Sequence, residues 1–111
     1  VENYVINNLY NDLPNKQLPD EIFETLCNGK NFRLEKIIST GQASLDNEWQ
    51  DQVENEWAIL LKGSAKIIFK DSNTESSLQA GDYLLIPAHQ QHRVSWTDPN
   101  TATVWLAIHF S

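Results

Sequence analysis

The stretch Gly81-Asp82-Tyr83-Leu84-Leu85-Ile86-Pro87-Ala88-His89-Gln90-Gln91-His92 decides how this chain is read. Gly81-Asp82 is a tight-turn signal, and Tyr83 to Ile86 is a short apolar run suited to a strand. Pro87 has no amide hydrogen to give to a sheet, so the strand stops there. A polar turn follows, and a second strand begins at His92 and runs to Thr97.

The same texture continues on both sides. Downstream, Asp98-Pro99-Asn100 places proline at the second position of a turn, and Thr103 to Phe110 forms a further strand. Upstream, Ala65, Ile67 and Phe69 alternate with Lys66, Ile68 and Lys70, the period of a half-exposed strand. Asp71 to Ser76 is polar enough for a hairpin loop. Trp57 to Leu61 is a continuous apolar run, predicting a strand buried on both faces, and Phe32 to Ser39 is rich in branched residues. About seven short strands at 8–12-residue spacing predict a β-sandwich or closed barrel over residues 31–111.

Residues 1–30 read as an extension of that single domain. Asn3 to Tyr10, carrying Val5 and Ile6, predicts an edge strand, with a polar turn over Asn11 to Lys16. Asp20 suits a helix N-cap, Ile22, Phe23 and Leu26 share a helical face, and Asn28-Gly29 is a stop, predicting one short helix.

The 111 residues fit one domain, and 15 acidic against 8 basic residues give a net charge of −7. An acidic surface repels phosphate backbones and anionic membranes, so neither nucleic acid nor membrane is an expected partner. The apolar runs fall far short of the ~20 residues a membrane span needs, and no signal peptide is visible. The lone Cys27 excludes an internal disulfide and a cysteine-based zinc site, which suits a cytoplasmic protein.

The spacing Gly81, Pro87, His89, His92 resembles the second sequence motif of the cupin superfamily: glycine, five residues, proline, one residue, glycine, two residues, histidine, three residues, asparagine. Gly81, Pro87 and His92 fall in place, while His89 stands at the second glycine and Trp96 at the asparagine. Glu56, six residues, then Gly63 resembles the end of the first motif. That motif opens with His-x-His three or four residues before the glutamate. Here those places hold Gln50 and Gln52, or Trp49 and Asp51. The resemblance spans residues 32–110 and is closest to the small single-domain cupins. It implies a jelly-roll β-barrel. It leaves the activity open, since cupins include epimerases, isomerases, dioxygenases, lyases, storage proteins and sugar sensors.

In metal-binding cupins the motif histidines and the glutamate converge inside the barrel. The resemblance therefore implies a divalent Fe, Mn, Ni or Zn ion on Glu56 and His92, with Gln52 and His89 as further arms. Residues 50 and 52 share a strand face. Amide oxygens are neutral and weaker donors than imidazole, so the substitutions lower the expected affinity. Gln50 and Trp96 are expected to face a bound small molecule, Trp96 as an aromatic wall on the strand face of His92 and Val94.

Plainer readings stand beside these. Glu56 also fits a solvated strand edge, and an inward Glu56 needs a metal, a proton or a cation such as Arg33. His92 also fits a core histidine bonded to backbone. His89 fits a rim turn with positive φ, which histidine tolerates, and Gln50 and Gln52 fit polar mouth positions. His109, alternating with Ala107 and Trp105, reads as structural. Three functions follow: a metal-dependent small-molecule cupin, which is the leading expectation; a metal-free barrel for a sugar or organic acid; and a non-catalytic homodimer whose Asn3 to Tyr10 segment adds to a neighbour's sheet.

Overall fold

A computed structural model describes residues 4–111. Two antiparallel sheets pack face to face. The larger has the order β1-β2-β8-β3-β6 and the smaller β5-β4-β7. The elements are β1 (Ile22–Asn28), β2 (Phe32–Ser39), β3 (Asn55–Lys62), β4 (Ser64–Phe69), β5 (Thr74–Gln79), β6 (Tyr83–Ile86), β7 (His92–Thr97) and β8 (Thr103–Phe110). This is the jelly-roll barrel implied by the motif spacing.

No helix forms among the described residues, and the expected helix after Asp20 is a strand instead. Residues 22–28 pair with β2 from Ile22↔Ile38 to Asn28↔Arg33, with an irregularity between Thr25 and Cys27. All seven residues are exposed, so no buried helical face existed to reward coiling. Pairing along the edge of β2 satisfies backbone groups that a helix there would have left open. The expected edge strand over Asn3 to Tyr10 is also absent among the described residues: positions 4–8 are irregular, with Val5 83% and Ile6 94% exposed, and Asn3 lies outside them.

Two further corrections concern β5 and β3. Thr74 to Ser76, expected in a loop, belong to β5. That strand is polar because five of its six residues face solvent, with only Leu78 buried. β3 is not buried on both faces: Glu56, Ala58 and Leu60 are buried and alternate with half-buried Trp57, Ile59 and Leu61.

The register of the larger sheet lays out its inner face in rows. Arg33, His109, Glu56 and Ile86 form one row across β2, β8, β3 and β6. Glu35, Ala107, Ala58 and Leu84 form the next, and Ile37, Trp105 and Leu60 the third. Ala65, Ile67 and Leu78 of the smaller sheet complete the core with Leu60, Ile86 and Trp105. Gly63 lets the chain cross from β3 to β4 in one residue. Its φ is +89°, and a Cβ there would lie 2.4 Å from Thr103 Oγ1 and 2.7 Å from Thr103 Cα.

Candidate functional site

The two alanines Ala58 and Ala107 face each other across the centre of the larger sheet. Their small side chains leave space that bulky residues would fill, and a cavity of ≈ 180 Å³ opens between the sheets. Ala58, Ile67, Leu84 and Trp105 supply apolar wall. Glu56, His92, Gln50 and Gln52 all line it, so the structure brings these four sequence-predicted residues to one hollow.

Local hydrogen bonds explain why they meet. The Gln50 amide donates to the His92 carbonyl at 2.8 Å, and the His92 amide donates back to the Gln50 carbonyl at 3.2 Å. The His89 amide donates to the Gln52 carbonyl at 2.7 Å, and the Ala88 amide to Asn55 Oδ1 at 2.9 Å. The segment before β3 is thereby stitched to the turn before β7, which sets both glutamines beside His92.

Glu56 is 9% exposed and makes no side-chain hydrogen bond or ion pair among the described residues. The side-chain amides of Gln50 and Gln52 are equally without partners there. His92 is 3% exposed, and its Nδ1 lies 2.9 Å from the Gln90 carbonyl, which accepts. The Nδ1 proton is fixed by that contact, so in the neutral ring Nε2 carries the lone pair. The Phe69 ring, 6.3 Å away, packs beside the imidazole.

Two predicted residues are not brought to this hollow. His89 has φ +64°, the strained turn expected of a rim residue. Its exposed imidazole lies 2.8 Å from Asp51 Oδ1 and does not line the cavity. Trp96 turns outward because β7 carries an irregularity: Ile67 pairs with Val94 but Lys66 with Trp96, so Ser95 is an extra residue. The alternation from His92 through Val94 breaks at that bulge, and the Trp96 ring lies 5.6 Å from Lys66 Nζ on the outer surface.

Sequence reading missed three lining residues. His109, expected to be structural, lines the cavity with Nε2 3.3 Å from Glu35 Oε1 and with Nδ1 buried and unpartnered. Glu35 lines it too, and its alternation with inward Ile37 was the available signal. Glu21 also lines it, accepting the Ser39 hydroxyl proton from beside β1, a placement visible only once residues 22–28 are a strand.

The donors do not fit a resident transition metal. Among the described residues no three His, Cys, Asp or Glu side chains are grouped to hold an ion. Glu56 and His92 have only neutral amides added to them, His89 is bonded to Asp51 outside, and His109 Nε2 is engaged by Glu35. The lining carboxylates and imidazoles do not converge in threes on any point among the described residues, short of the three protein ligands such sites require.

Residues 36–109 match the family model described as the cupin domain. No curated protein matches the chain. Among solved structures, a protein from Ralstonia eutropha described as a "putative mannose-6-phosphate isomerase" is 42% identical, with a TM-score of 0.92, covering 97% of this chain and 99% of its own. A cupin superfamily protein from Desulfitobacterium hafniense is 16% identical, with a TM-score of 0.69, covering 88% of this chain and 96% of its own. The polyketide cyclase RemF from Streptomyces resistomycificus is 13% identical, also at 0.69, covering 96% and 80%. The last two show the shared barrel alone. With two thirds of its length matched by that model, the chain belongs to the cupin family.

Proposed function

We propose that the barrel binds one small organic molecule between its sheets without a metal, gripping it with Glu56 and His92 and with the Gln50 and Gln52 amides. A single observation carries this reading. The Glu56 carboxylate, the half-buried Gln52 and exposed Gln50 amides and His92 Nε2 line one cavity without a hydrogen-bond partner among the described residues. Buried polar groups left this way cost free energy unless a ligand or water meets them. Natural proteins keep such costs mainly at functional sites.

The cavity volume suits the molecule. A ~150 Å³ cavity accepts a benzene-sized guest, so ≈ 180 Å³ holds a ring with a few substituents. Glu56 and His92 Nε2 are both proton acceptors on that cavity, the equipment for taking a proton from a bound carbon or heteroatom. The experiment is a small-molecule screen by protein NMR, followed by Glu56→Ala and His92→Ala. Both variants should lose at least tenfold in affinity for any molecule that shifts the Trp105 indole signal. Unchanged affinity in both overturns the reading.

A second reading concerns association and rests on a different surface. The outer face of the larger sheet presents Trp57, Ile59, Leu106 and Ile108, with Tyr83 66% and Leu85 57% exposed at its β6 edge. Such a face spans roughly 400 Å², against about 800 Å² per partner in a stable complex. The exposed Val5 and Ile6 supply further apolar surface. We propose a second copy of this chain as the occupant, with sheet face and N-terminal segment both in the interface. A monomeric wild-type chain at micromolar concentration would overturn it.

A further inference from the structure

We infer that the molecule held in the cavity is a small organic cation bearing a protonated amine, and that phosphorylated or carboxylated molecules are excluded. This rests on the barrel reading above and specifies its ligand class.

The cavity lining carries three carboxylates, Glu21, Glu35 and Glu56, and neither lysine nor arginine. Arg33 is the cross-strand neighbour of His109, yet its guanidinium turns 3.5 Å from Glu54 at the half-exposed end of the barrel and does not line the cavity. Lys36, the buried lysine of β2, alternates with lining Glu35 and Ile37 and therefore sits on the other face. An anion entering this space would meet negative charge without a compensating cation.

The hydrogen-bond inventory points the same way. Glu35 accepts from His109, and Glu21 accepts from the Ser39 hydroxyl. Glu56 accepts from no described residue, and it is more than nine-tenths buried. His92 spends its Nδ1 proton on the Gln90 carbonyl and offers a lone pair at Nε2. The unspent groups are therefore mostly acceptors, the buried Nδ1 of His109 among them once its Nε2 proton goes to Glu35, with donors on the two glutamine amides. A phosphate or a carboxylate brings only acceptors, and leaves Glu56 and His92 unmet. An ammonium brings up to three donors and the charge that a buried carboxylate lacks. Its carbon frame can lie against Ala58, Ile67 and Trp105. An inorganic cation is the poorer occupant, because three anionic or imidazole donors are not grouped around any point among the described residues.

The test titrates the full chain with two charge-matched series, following the Trp105 indole and the Ala58 amide by NMR. One series is benzylamine, benzyl alcohol and benzoate; the other is glucosamine, glucose and glucose 6-phosphate. At least one amine should shift both signals with an affinity at least tenfold above its neutral counterpart and a hundredfold above its anion. Glu56→Gln should remove at least tenfold of the amine's affinity. Tighter or equal binding of an alcohol or anion overturns the charge inference while leaving the barrel reading intact. No response of the cavity signals to any of the six, up to about 10 mM, overturns both. Stabilisation by Zn, Mn, Ni or Fe in place of an amine response would overturn both as well. The wild-type titrations decide the matter even if Glu56→Gln fails to fold.

Discussion

Ala58→Val separates a built cavity from a packed core by the sign of its effect. Ala58 is 3% exposed, sits opposite Ala107 at the centre of the larger sheet, and lines the cavity. Valine adds two carbon atoms there, and β-branching suits a strand. Each buried methylene is worth about 0.8 kcal/mol, so filling open space stabilises by up to about 1.6 kcal/mol. In a close-packed core the same change overpacks and costs about 1–3 kcal/mol. The cavity predicts the first result: a higher urea midpoint with an unchanged slope, and a melting temperature raised by several degrees. It also predicts loss of ligand binding, since the added methyls occupy the ligand's place. A destabilised Ala58→Val protein, by 1 kcal/mol or more, would refute the claim that open space lies between the sheets.

Four other outcomes follow from the same geometry. Glu56→Gln keeps the shape of a side chain that has no described partner, so the ligand-free protein should stay within about 1 kcal/mol of wild type in urea unfolding. A larger loss of stability there would mean that Glu56 is paired. Gly63→Ala should cost roughly 2–4 kcal/mol, because its φ of +89° and the approach of Thr103 leave no room for a Cβ; thermal melts check it. His89→Gly relieves a strained φ of +64° and loses only an exposed pairing with Asp51. Its stability should stay within about 1 kcal/mol of wild type, with ligand affinity unchanged by titration. If the proposed second copy occupies the outer sheet face, Leu85→Lys and deletion of residues 1–12 should each leave a monomer in light scattering where the wild-type chain is a dimer.

Most of the barrel was legible because its signals are local. Pro87 ends β6, Gly81-Asp82 opens it, and the Ala65–Lys70 alternation marks β4. β1 and β5 were not legible, for opposite reasons. Ile22–Asn28 carries a helical stripe and follows a helix cap at Asp20, but the open edge of β2 decides its state. Thr74–Gln79 has a single buried residue, so its strand pairing with β4 leaves almost no hydrophobic trace. In the site, motif spacing led to Glu56, His92, Gln50 and Gln52, because turns of fixed length hold them. Trp96 misled because one bulge reverses an alternation that sequence shows as unbroken. His89 was legible as a turn but not as Asp51's partner. His109 and Glu35 come from strands at opposite ends of the chain, and only the β2–β8 register makes them neighbours.

The most direct measurement is a high-resolution crystal structure of the chain grown with the tightest-binding amine from the titration series. The account predicts density between the Glu56 carboxylate and His92 Nε2, within hydrogen-bond distance of both. A Glu56 side chain turned to bulk solvent, or satisfied by another side chain with the hollow filled, would contradict it.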